Sequence, residues 1–127
     1  MGIGVVEASA TRVTLSAPLA PNINHRETVF GGSACALAIL SAWTLLYLRL
    51  QQTKIDSRVV IQRNTMSYDL PIIGDFIACA ALHDEAIWER FIETLRRRTR
   101  ARISLTAELH CDGIQVGKLV GDYVALI

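Results

Sequence analysis

The segment Asn22-Ile23-Asn24-His25-Arg26-Glu27-Thr28-Val29-Phe30-Gly31-Gly32-Ser33 decides how this chain is read. It joins a polar, extended stretch to a run without charge from Thr28 to Leu48. Asn24 stands seven residues before a Gly-Gly pair, and the pair opens what reads as a long apolar helix, from about Gly31 to Gln52. A helix N-terminus carries unpaired backbone N–H groups and the positive end of the macrodipole. Glycine there lets a ligand approach the backbone closely. The arrangement suits an oxygen that becomes negative during a reaction, with a side-chain amide to orient the other reactant. Gly31 and Gly32 are therefore candidate oxyanion donors and Asn24 a candidate catalytic residue. Plainer roles stand beside these: an Asx turn after Pro21 for Asn24, and close helix–sheet packing for the glycines.

The charge-free run is long enough to cross a bilayer. Its first half is small rather than greasy (Gly31, Gly32, Ser33, Ala34, Ala36, Ala38), and Arg49 gives only a weak positive flank. A helix that is apolar all round is equally suited to burial in a protein core. The expectation is a core helix and no membrane.

Working outward, Thr11–Ala17 alternates Val13, Leu15 and Ala17 against Arg12, Thr14 and Ser16, a strand pattern. Pro18 and Pro21 stop regular structure before the helix, and Thr53–Ser57 is a polar break after it. Arg58–Leu70 is rich in β-formers and is closed by Pro71 and Gly74, which predicts a strand with Asp75–Leu82 as its hairpin partner. Asp84–Arg100 predicts a short helix: Ile87, Phe91 and Leu95 recur at four-residue spacing, Asp84 caps, and acids precede arginines. Ala101–Cys111 alternates cleanly, Asp112-Gly113 is a hairpin turn, and Ile114–Ile127 returns as the last strand, with Gly117 and Gly121 as bulge or close-approach points. One helix segregated from runs of antiparallel strands means α+β.

At 127 residues, half of them apolar, the chain makes one domain, 1–127, with a real core. A net charge of +1 excludes nothing by itself, but no aromatic interleaving accompanies the basic residues, so no nucleic acid is expected. Three cysteines without CxxC spacing argue against a disulfide framework or zinc site; no metal and no cofactor are expected. They point to a reducing, cytoplasmic location, and the first residues lack the features of a signal peptide.

Ala17-Pro18-Leu19-Ala20-Pro21-Asn22-Ile23-Asn24, then Thr28-Val29-Phe30-Gly31-Gly32-Ser33, resembles the thioesterase-like domain fused to an acetyltransferase in some bacterial proteins. Trp43, the Tyr68–Pro71 block, the Cys111-Asp112-Gly113 turn and Gly121–Val124 match the same pattern. The resemblance implies a hotdog fold, an antiparallel sheet wrapped around one long helix. The leading helix frequent in that family has no room before the first predicted strand. The resemblance further implies an acyl thioester on coenzyme A or an acyl carrier protein, a homodimer or dimer of dimers with sheets laid edge to edge, and a site at the seam. By that mapping Gly31 and Gly32 hold the acyl oxygen and Asn24 the water or thioester.

Many hotdog hydrolases carry a carboxylate two turns into the helix. Here that place is Ile39, and no acid lies between Glu27 and Asp56. Three functions stay open: thioester hydrolysis, decarboxylation of a malonyl thioester at the same oxyanion site, and acyl-carrier binding without catalysis. Further binding candidates are His25, Ser33, Asn64, Thr65, Tyr68 and the arginines Arg96, Arg97, Arg98 and Arg100, which suit a phosphate or an acidic carrier surface. The plainer readings are an exposed loop histidine, a helix-start cap for Ser33, strand-face residues and a solvated helix end. Cys35 reads as packing, and Asp69 and Asp75 as strand-end and turn residues.

Overall fold

The computed structural model describes residues 1–127. Its elements run β1 (Gly4–Ala8), β2 (Arg12–Ala17), α1 (Gly31–Thr53), β3 (Arg58–Tyr68), β4 (Phe76–Ala81), α2 (Glu85–Arg98), β5 (Arg100–Cys111) and β6 (Ile114–Leu126). The strands form one sheet in the order β1-β2-β4-β5-β6-β3, with every neighbouring pair antiparallel. Helix α1 packs against β2, β3, β4, β5 and β6, so the sheet curls around it in the hotdog arrangement.

By length and composition α1 is apolar enough to cross a membrane. In this fold the sheet covers one side of it: Leu37, Ala38, Ala42, Leu45 and Leu46 are buried in the core. The buried Ser41 hydroxyl donates to the Ala38 carbonyl at 2.8 Å, which satisfies the polar group in place.

The structure adds one strand to those expected and corrects one pairing. Gly4–Ala8, which carries no clear alternation, is an edge strand beside β2. β3 and β4 are not hairpin partners: β3 pairs with β6 at the opposite edge, and β4 lies between β2 and β5. The connection cannot turn tightly because it is anchored elsewhere. Asp69 and Leu70 N–H both donate to the Val116 carbonyl, and Val29 N–H donates to the Ile72 carbonyl at 2.9 Å. The segment thus crosses the start of α1, which places it at the candidate site.

Asp84 caps α2, its carboxylate accepting from Ala86 and Ile87 N–H. The buried stripe is Trp88, Phe91, Ile92 and Leu95, and Ile87 is exposed. Asp112 and Gly113 both adopt positive φ in the β5–β6 turn, as a two-residue hairpin of this hand requires. The β5–β6 register shifts between Leu109 and His110, next to Gly117. A Cβ on Gly117 would lie 2.8 Å from the Ser67 carbonyl oxygen, so close backbone approach explains this glycine.

Arg49 ties the lower end of α1 to its surroundings. Its guanidinium donates to the Ala10 carbonyl at 3.0 Å and to Glu85 at 2.8 Å, and lies over the Trp88 ring at 4.6 Å. The exposed Glu85 contributes little, while the largely buried Arg49 contributes packing and desolvated contacts. Arg49→Ala is expected to destabilise the fold by about 2 kcal/mol, read as a shift in the urea midpoint. An unchanged midpoint removes this clamp from the account.

Tyr123 is buried and donates to the Ile39 carbonyl at 2.8 Å. Burial, and then the charge of nearby Cys35, push its phenol above the ordinary value of 10.0. The unfolded chain ionises this residue first, so it destabilises the fold as pH rises past that value. Tyr123→Phe is expected to flatten the alkaline fall in unfolding temperature; a slope equal to wild type refutes the contribution.

Candidate active site at the start of the long helix

The loop before α1 is built by side-chain hydrogen bonds. Asn24 Oδ1 accepts from Arg26 N–H at 2.8 Å and from Thr28 N–H at 3.1 Å, and its Nδ2 donates to Thr28 Oγ1 at 2.8 Å. Asn24 N–H also donates to the Thr28 carbonyl, Ile23 and Val29 form an antiparallel bridge, and Glu27 takes the left-handed conformation. The Asn24 amide is thereby engaged in its own loop. Asn22 is buried, with Nδ2 donating to the Met1 and Pro18 carbonyls. Its own carbonyl accepts Phe30 N–H at 2.7 Å, which fixes where the helix begins.

Phe30 is the helix cap residue, in extended conformation and without a side-chain cap bond. Its carbonyl accepts from Ser33 and Ala34 N–H, at 3.0 and 3.2 Å. Gly31 N–H and Gly32 N–H have no partner in the protein. Ser33, third in the helix, therefore does not cap it with its hydroxyl. The Phe30 ring lies over Gly32, where a Cβ would clash with it.

A cleft of about 350 Å3 opens beside this helix start, lined by Val29, Gly31, Tyr68, Asp69, Leu70 and Ile72 among others. Tyr68 comes from the end of β3 and donates its phenol to the Gly31 carbonyl at 2.9 Å. Partial burial, then the neighbouring Cys35, push that phenol above its ordinary value, so it stays a neutral donor. Asp69 follows it on the crossing segment, exposed, with no side-chain hydrogen bond or ion pair. It is the one carboxylate lining this cleft.

The remaining candidates divide. Asn64 faces α1, where the Cys35 thiol donates to its Oδ1 at 3.8 Å. Thr65, next along the strand, points to the opposite face. His25 is exposed on the loop. Ile39 is half-buried against the core, so the position expected for a helix carboxylate is apolar. Arg96 and Arg97 line one cleft with Trp88 and Glu93, while Arg98 and Arg100 line another. Asp69 was legible only as the acid inside the Tyr68–Pro71 block, and nothing local distinguished it from a strand-end residue.

The sequence matches, over residues 1–127, the family described as "Putative thioesterase (yiiD_Cterm)". The chain belongs to this family. Among solved structures it is similar to a protein of unknown function from Chlorobaculum tepidum, at 31% identity and a TM-score of 0.94, covering 99% of this chain and 83% of that one. It is also similar to a protein from Shewanella oneidensis described as a putative thioesterase, at 28% identity and a TM-score of 0.88, covering 100% and 85%. A Pseudomonas aeruginosa protein, described as of unknown function and a probable thioesterase, shares the fold at 24% identity and a TM-score of 0.84, covering 98% and 83%. The family supports thioesterase activity in general terms.

The Asn24 side chain holds the loop before α1 together. Asn24→Ala is expected to lower stability by about 1–2 kcal/mol, visible in the unfolding temperature, with Asn24→Asp milder because it keeps both acceptor bonds. Equal stability of all three proteins would free the amide for a direct role.

Proposed function

We propose that the protein hydrolyses an acyl thioester carried on coenzyme A or an acyl carrier protein. The observation that carries this reading is one cleft lined by both an unpartnered helix start and an unpaired carboxylate. The acyl oxygen accepts from Gly31 and Gly32 N–H, where the helix dipole favours negative charge. Asp69 takes a proton from water as the water oxygen bonds to the carbonyl carbon. The tetrahedral oxyanion then collapses, the carbon–sulfur bond breaks, and the proton passes to the departing thiolate. Tyr68 supports the first turn through the Gly31 carbonyl, and exposed Phe30, Leu70 and Ile73 offer apolar surface for an acyl chain.

A second reading, malonyl-thioester decarboxylation, is favoured by the apolar Ile39 and uses the same two N–H groups to hold an enolate. Asp69 counts against it, because its charge repels the substrate carboxylate. Release of free thiol from saturated acyl-CoA thioesters supports hydrolysis; carbon dioxide release from malonyl-CoA without hydrolysis supports the alternative.

The same reading includes a homodimer or dimer of dimers. β3 is an edge strand of 11 residues whose outer side has no partner in the chain. An edge of this length is a template for a second copy. Analytical ultracentrifugation is expected to give a dimer or larger, and a monomer at micromolar concentration would remove this part.

A further inference from the structure

We infer that Arg98, Arg100 and Arg102 form a binding site for the phosphate-bearing nucleotide end of coenzyme A. This rests on the thioester reading for the choice of ligand. The three arginines line one cleft of about 450 Å3 together with Gln62 and Thr94. The chain brings them there through Thr99, which takes the left-handed conformation between α2 and β5. Arg98 ends the helix, while Arg100 and Arg102 alternate onto the same exposed face of β5, opposite Leu126 and Val124 of β6.

The cleft contains no carboxylate, and none of its arginines has an acidic partner. Arg97 differs, standing 3.7 Å from Glu93 on the neighbouring face. The nearby Asp122 is engaged by the Ser104 hydroxyl. An entering anion meets three arginines that have no acidic partner. Guanidinium forks and two neutral polar side chains suit phosphate oxygens. Coenzyme A carries a diphosphate and a phosphomonoester close together, whereas a carrier protein offers a single phosphodiester. Three unpaired cations match the former.

The two clefts share one strand and open on opposite faces of the sheet. Gln62 of the arginine cleft and Tyr68 of the acyl cleft both lie on β3, six residues apart.

The test is calorimetric titration of coenzyme A and of dephospho-coenzyme A into the protein. Wild type is expected to bind coenzyme A more tightly than its dephospho form. Arg98→Gln/Arg102→Gln is expected to weaken coenzyme A by about 10–100-fold and to remove that preference. Arg96→Gln/Arg97→Gln removes equal charge from the adjacent face and is expected to bind as wild type does. Unfolding temperatures establish that each variant is folded, and Arg100→Gln gives an independent variant with the same expected direction. Equal affinity of wild type and the cleft variants, equal binding of the two ligands by wild type, or no binding at all overturns the assignment. So does a cleft variant that loses an acyl carrier protein while holding coenzyme A unchanged. Tight, arginine-dependent binding with no thiol release from acyl-CoA would sink the hydrolase reading and leave the cleft assignment standing.

Discussion

Asp69→Asn is expected to lower the turnover number for acyl-thioester hydrolysis by about 10²–10⁴-fold, the usual range for losing a general base. The Michaelis constant should move little, because the acyl oxygen and the carrier are held by other groups. The substitution is nearly isosteric, and the Asp69 side chain makes no hydrogen bond or ion pair, so the fold has nothing to lose. Its backbone N–H, which anchors the crossing segment to Val116, is unaffected. Turnover equal to wild type would show that water is activated elsewhere and would detach Asp69 from the mechanism.

Gly31→Pro is expected to cost about 10²–10³-fold in turnover, the scale for removing one oxyanion donor. Proline deletes the N–H at the first helical position, where helices tolerate it best. Phe30 already holds the extended conformation that a following proline demands, with φ −60° and ψ 131°. A Cβ at this position would meet the Tyr68 ring at 3.4 Å, a contact that a small shift of an exposed side chain relieves. Folding is therefore preserved, and circular dichroism checks it. A folded variant with undiminished turnover would place the acyl oxygen away from Gly31.

Long, strongly patterned elements were legible in the sequence because their signals are local. The charge-free run gave α1, the Asp84 cap and late arginines gave α2, and strict alternation around Asp112-Gly113 gave the β5–β6 hairpin. Strand pairing was less legible. Gly4–Ala8 is almost wholly exposed and owes its conformation to β2, so its own pattern is silent. The β3–β4 hairpin failed because Pro71 and Gly74 mark a break without saying where the chain goes next. Anchors at Val29 and Val116, distant in sequence, decide that.

The glycine pair was readable as a pair of free N–H groups because a helix start exposes them whatever surrounds it. The other participants were not. Whether an amide is free or consumed by its own loop depends on Thr28 and Arg26 backbone geometry, which separates Asn24 from the spacing argument. Asp69 has the opposite history: an ordinary strand-end acid in sequence becomes a cleft carboxylate once its segment crosses the helix start. The arginine run also read as one patch, and the helical turn between Arg97 and Arg98 divides it between two clefts, with Thr99 bringing Arg98 and Arg100 to the same one.

The central claim, thioester hydrolysis at the Gly31–Gly32 helix start, is tested most directly by one paired assay of the purified protein. Free thiol and carbon dioxide are followed together, with saturated acyl-CoA thioesters and malonyl-CoA as substrates. The account predicts catalytic thiol release from the saturated thioesters and no catalysed carbon dioxide release from malonyl-CoA. Carbon dioxide release from malonyl-CoA, with no thiol release from any saturated thioester, would contradict it.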